Sequence, residues 1–108
     1  MSASGVTFGE AISQARKVLG LNQKRLAERV MKEEAGGSIS PQYLNDIEHD
    51  RRSPTSDHLI REFATVLNVD EGYLFVLAGK IPDDLRKSTN DAERIVAAFK
   101  KFREILTE

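Results

Sequence analysis

Apolar residues recur three and four positions apart along most of this chain, and no stretch alternates with a period of two. Such spacing gives each segment one apolar stripe on a helix and leaves no half-buried strand, so the chain reads as all-α. The clearest stripe is Leu59, Ile60, Phe63, Ala64 and Leu67.

Start and stop signals divide the pattern into six expected helices. The first runs from about Phe8 to Leu19, with Thr7 and Glu10 spaced as a capping box. It faces inward through Phe8, Ile12, Ala15 and Leu19, and Gly20 ends it. The second follows Asn22, buries Leu26, Ala27, Val30 and Met31, and continues to about Ala35, before Gly36 and Gly37. The third is short, capped by Ser40, with Pro41 in the first turn where a missing N–H costs nothing. Leu44 and Ile47 face inward, and Asp50 to Pro54 forms a basic loop. The fourth helix starts after Thr55; the fifth starts after Asp70, buries Leu74, Phe75, Leu77 and Ala78, and ends at Gly79. Ile81 to Lys87, containing Pro82, reads as a linker. The sixth starts near Asn90, with Glu93 at capping-box spacing, and carries Ile95, Phe99, Phe102 and Leu106 on one face.

With 108 residues, 40% of them hydrophobic, the chain can bury one modest core with an appendage. No apolar run is long enough to span a membrane, the N-terminus lacks the layout of a secretory signal, and there is no Cys. A cytoplasmic location is the expectation. The net charge is −1, and neither residues 1–80 nor residues 81–108 are basic overall. Any surface that meets a polyanion must therefore arise from local placement of Arg and Lys.

An ordered set of residues marks residues 8–79. It comprises Leu21-Asn22-Gln23, Leu26-Ala27, the run from Ile39 to Glu48, Arg51-Arg52-Ser53-Pro54, and then Leu59, Phe63-Ala64 and Leu67. In these residues the chain resembles the Cro/phage-repressor type of helix-turn-helix, the XRE family. The resemblance implies a five-helix phage-repressor-like domain over residues 1–80; residues 81–108 lie beyond it and are expected to be a linker and a C-terminal helix for dimerisation. It implies sequence-specific binding of double-stranded DNA, most simply a palindromic operator bound by a homodimeric repressor or autoregulator.

The residues of the third helix suit that role independently. Gln42, Tyr43, Asn45 and Asp46 form a polar first turn over an apolar side, a shape that fits a major groove. An ordinary solvated helix face is the alternative reading of the same residues. By resemblance, Pro41, Gln42, Asn45 and Asp46 lie where bases are read. Gln42 either pairs with adenine or bridges to a neighbour; Asp46 either accepts from cytosine or orients Gln42 or Tyr43, and these readings stay open. Ser40 and Tyr43 fall where phosphates pass, and Gln23 resembles the family's phosphate clamp at the start of the second helix. Lys24, His49, Arg51 and Arg52 can reach the DNA backbone on either side, the alternative being a solvated loop. Arg16 and Glu48 resemble the family's partly buried ion pair between the first and third helices; the alternative is two exposed charges. One departure stands out: about seven extra residues, Lys32 to Ser38, separate the second and third helices, and the expected account is a longer second helix with a Gly-Gly loop.

No catalytic constellation is visible. His49 and His58 lack metal-ligand spacing, Gly72 to Lys80 lacks phosphate-loop spacing, and no triad can be argued. No enzyme activity, metal or cofactor is expected. Ile95, Phe99, Phe102 and Leu106, flanked by Ala92, Val96 and Ile105, need a cover. The stripe either folds back on its own domain or pairs with a second copy, and pairing is the expectation. A competing function is an antitoxin or adaptor that binds a partner protein through this helix or through Lys32 to Ser38.

Overall fold

The computed structural model describes residues 6–34, 36–54 and 56–108. Its elements are α1 (Phe8–Val18), α2 (Gln23–Arg29), α3 (Pro41–Glu48), α4 (Asp57–Leu67), α5 (Glu71–Ala78), α6 (Asp83–Arg86) and α7 (Ala92–Thr107). Among the described residues the non-helical pairing is one isolated bridge, Met31 with Ser38. The architecture is all-α, a helix-turn-helix core followed by a C-terminal helix.

The starts of the helices follow side-chain chemistry. Thr7 and Glu10 exchange the two hydrogen bonds of a capping box. Asn22, Ser40, Ser56 and Asp70 each accept a first-turn amide through the side chain. Asn68 and Gly79 close α4 and α5 in the left-handed conformation.

One core joins α1 to α5, with Ile12, Leu26, Val30, Leu44, Ile47, Ile60, Phe63, Leu74 and Phe75 fully buried. Phe8 meets Phe63 edge to face at 6.2 Å. Each such side chain contributes about 1.5–3 kcal/mol of burial. α1 crosses α3 so closely that a Cβ on Gly9 would overlap the Ile47 and Glu48 carbonyl oxygens. Asp50, at φ +59, turns back after α3 and secures the same crossing. Its carboxylate accepts from the Thr7 hydroxyl at 2.6 Å and the Gly9 amide at 3.0 Å.

Several expectations are corrected. α2 ends at Arg29 instead of near Ala35, which lies outside the described residues. Val30 turns extended, the Ile39 amide donates to its carbonyl at 2.9 Å, and the Lys32 amide donates to Gly37 O at 2.9 Å. Met31 and Lys32 thus face Gly37 and Ser38 across the base of a small wing. Glu62 accepts the Met31 amide, and His58 Nε2 lies 3.0 Å from Met31 O, so α4 holds the base of the wing. These tertiary bonds override the helix propensity of Lys32, Glu33 and Glu34. Met31, expected inside, is exposed because it sits on the wing, and Leu19 is exposed because it caps α1. Ser56 caps α4; Thr55, from which that start was expected, lies outside the described residues. The linker contains a turn of helix, α6, and α7 is capped by Asp91 in place of Asn90.

Candidate nucleic-acid interface

α3 is presented by its neighbours. Ser40 Oγ accepts the Tyr43 amide at 3.0 Å and Pro41 occupies the first turn. Leu44 and Ile47 are buried against the core, which leaves Pro41 and Gln42 exposed and Tyr43, Asn45 and Asp46 half-buried. The first turn holds no acidic residue, so the positive end of the helix dipole is not offset there.

The other expected site residues gather around this helix. Asp46 is a hub: Gln42 Nε2 donates to its Oδ1 at 3.1 Å, Arg51 Nε donates to the same oxygen at 3.1 Å, and Arg52 Nε lies 3.7 Å from Oδ2. The Arg51 and Arg52 amides also donate to the Asp46 carbonyl. The Arg52 guanidinium stands 5.6 Å from the centre of the Tyr43 ring, within cation–π range. Two cations and an aromatic edge therefore lie along one side of α3, ordered by a single carboxylate. His49 caps the end of α3, with Nδ1 2.9 Å from Asn45 O. Lys24 lies exposed in the first turn of α2.

Gln23 and Glu48 fasten α2 and α1 to α3. Gln23 Nε2 donates to Asn45 Oδ1 at 3.1 Å and to Glu48 Oε1 at 3.0 Å. Both amide hydrogens of the side chain are thereby committed inside the protein. Arg16 donates to Glu48 through Nε at 2.7 Å and Nη2 at 2.9 Å, and to Leu21 O through Nη1 at 2.9 Å. The pair is nearly sealed, with side-chain exposures of 12% for Arg16 and 3% for Glu48. Burial pushes the Glu48 carboxyl up, but the hydrogen bonds from Arg16 and Gln23 and the Arg16 charge outweigh it. Its pKa lies below the usual carboxylate value.

Gly9, Asp50, His58 and Glu62 complete the frame, and sequence reasoning missed them. A glycine within a helical stripe hints at close backbone approach, but no local signal tells that Asp50 reaches across 41 residues to Gly9. Ile95, Phe99, Phe102 and Leu106 lie together on α7, 43–63% exposed. No residue of α7 is buried in the single chain.

A family model described as helix-turn-helix matches residues 12–74, more than half of the chain, from within α1 into α5. Neither the curated proteins nor the solved structures include a significant match. Among the described residues no helix is long and apolar enough to cross a membrane. The matched span contains most of the core that presents α3, and the chain belongs to the Cro/phage-repressor (XRE) type of helix-turn-helix family, as a DNA-binding transcription regulator of that kind.

Proposed function

We propose that the protein is a homodimeric repressor or autoregulator that binds a palindromic operator, one α3 in each of two successive major grooves. In this reading Gln42 and Asn45 read bases, with Pro41 alongside. Asp46 orders Gln42, Arg51 and Arg52 instead of meeting a base itself. Ser40, Tyr43, Lys24, His49, Arg51 and Arg52 track phosphates, and Gln23 acts through the backbone of its turn. Residues 1–80 form the DNA-binding unit and residues 81–108 the pairing unit.

The observation that carries the dimer is the uncovered face of α7. Ile95, Phe99, Phe102 and Leu106 follow the 4-3-4 spacing of a coiled-coil seam. Phe99 and Phe102 pack at 6.1 Å between ring centres, and both remain half exposed. Two aromatic rings left in water are costly, and a second copy offers a self-complementary cover. A two-fold dimer would present two reading helices to one face of DNA, whose major groove returns to that face about every 34–36 Å. Occupying a promoter in this way blocks it without further chemistry.

Sedimentation and gel shift at moderate salt, using a duplex from the gene's own upstream region, test the reading. Full-length protein should be a dimer at tens of micromolar and shift that duplex, whereas Phe99→Glu/Phe102→Glu protein should be a folded monomer with much weaker specific binding. A monomeric wild type, or no shift of any duplex together with a tight complex formed with a neighbouring gene product, would favour the partner-protein role.

A further inference from the structure

Glu48 and Asp57 are the buried charged residues of the described chain. Glu48 braces α3, whereas Asp57 takes no part in the DNA face. A buried carboxylate is costly unless its partners recover the penalty, so its partners indicate what it is kept for. Asp57 stands in the first turn of α4, and its partners all lie in the segment leading to α7. Its Oδ2 accepts the Asp83 amide at 2.7 Å, and Lys80 Nζ lies 2.5 Å from Oδ1 as an ion pair. These contacts hold the Asp57 carboxyl below its usual range, the Asp83 amide foremost.

Arg61 lies one turn further along the same face of α4. Its Nη2 donates to Asp84 Oδ1 at 2.9 Å and its Nε to Glu71 Oε2 at 3.3 Å, while its guanidinium covers the Phe75 ring at 5.4 Å. Asp57 and Arg61 together hold the chain on both sides of Pro82. Beyond them, Lys87 caps α6, Ser88 Oγ donates to Leu85 O at 2.6 Å, and the Asp91 amide donates to Thr89 Oγ1 at 3.0 Å before Asp91 caps α7. Hydrogen bonds thus recur along the connection from α4 to α7.

We propose that Asp57 and Arg61 are spacing-determining residues: by locking the linker onto α4 they fix the separation of the two reading helices, and so restrict the protein to one distance between half-sites. The proposal rests on the homodimer proposed above. An untethered connection over residues 81–91 would have a root-mean-square reach of about 17–20 Å. With one such connection on each protomer, half-sites at several spacings would be equally accessible. A locked connection accepts one, because moving the half-sites by two base pairs rotates one face of DNA away by about a fifth of a turn.

The test uses full-length protein and the upstream duplex, intact or with one, two or five base pairs inserted between the half-sites. Wild type should bind the intact spacing roughly tenfold or more tightly than the spacing with two added pairs. Asp57→Asn, and Asp84→Ala as a variant at an exposed side chain that leaves the core untouched, should lose most of that discrimination. Affinity for a single half-site and the sedimentation of the dimer should stay unchanged. Folded, dimeric variants that keep the wild-type spacing preference would overturn the clamp while leaving the dimer intact. If Asp57→Asn does not fold, the Asp84→Ala result decides. A wild type that is monomeric on DNA overturns the dimer, and the clamp with it.

Discussion

Arg16 and Glu48 face each other through two hydrogen bonds of 2.7 and 2.9 Å, from guanidinium to carboxylate, at the point where α1 supports the end of the reading helix. The pair touches no DNA-facing atom, yet Gln23 and Leu21 are joined to it, so it sets the angle at which α2 and α3 meet. Replacing Glu48 by Gln leaves Arg16 charged and almost buried. The expected loss is about 3–5 kcal/mol of stability, with weaker DNA binding as a consequence. Chemical denaturation and a gel shift check both.

The same pair gives stability a pH dependence. The Glu48 carboxyl titrates lower in the folded protein than its ordinary value of 4.5. Its contribution is therefore present above that ordinary value and is lost as pH falls through the lowered folded value. Denaturation midpoints of wild type should drop in this acidic range, and the drop should be smaller in Glu48→Gln. Equal slopes in the two proteins would show that other carboxylates dominate.

Gln42 is an exposed polar side chain of the α3 first turn, steadied by Asp46 at 3.1 Å. Gln42→Ala should cost on the order of 1–3 kcal/mol at the specific site and relax preference at one base position. Binding to a panel of single-base operator variants measures this. An unchanged affinity and an unchanged preference would assign base reading to other residues.

Arg51 and Arg52 are more than half exposed, and Asp46 holds both near α3. Removing either should weaken binding to all duplexes alike and flatten the slope of log K against log salt by about 0.9 per lost contact. Asp46→Ala should weaken specific binding as well, because both arginines lose their common anchor.

Gly9→Ala tests the crossing of α1 and α3. The added methyl meets two backbone carbonyls that cannot rotate away, so a loss of about 1–3 kcal/mol is expected. Thermal melting should show it as a drop of about 4–8 °C per kcal/mol.

The helices and most of the core were legible in the sequence because capping residues and the 3-4 spacing are local signals. Thr7, Asn22, Ser40 and Asp70 cap the helices as read, and Leu59, Ile60, Phe63, Ala64 and Leu67 all face inward. The course of residues 30–39 was not legible. Lys32, Glu33 and Glu34 favour helix locally, and what bends them into a wing is distant: Glu62 and His58 hold Met31 from α4. The clamp at Asp57 was hidden for the same reason, since an Asp in a first helical turn reads as an ordinary dipole partner. That Gln42, Asn45 and Asp46 share a helix, α3, was legible from the Ser40-Pro41 start signal, but their bonds to neighbouring elements were not. Asp46 as the shared anchor of Gln42, Arg51 and Arg52 emerges only when α3 and the loop after it are folded together.

In the proposed dimer, two copies of this chain, paired through α7, set two α3 helices on one operator. Stoichiometry of the full-length protein on the upstream duplex, by sedimentation combined with a footprint at moderate salt, tests it most directly. Two chains per duplex at saturation are expected, with two protected major-groove segments one helical turn apart, related by the two-fold of the sequence. One chain per duplex at saturation, or a single protected segment, would contradict it.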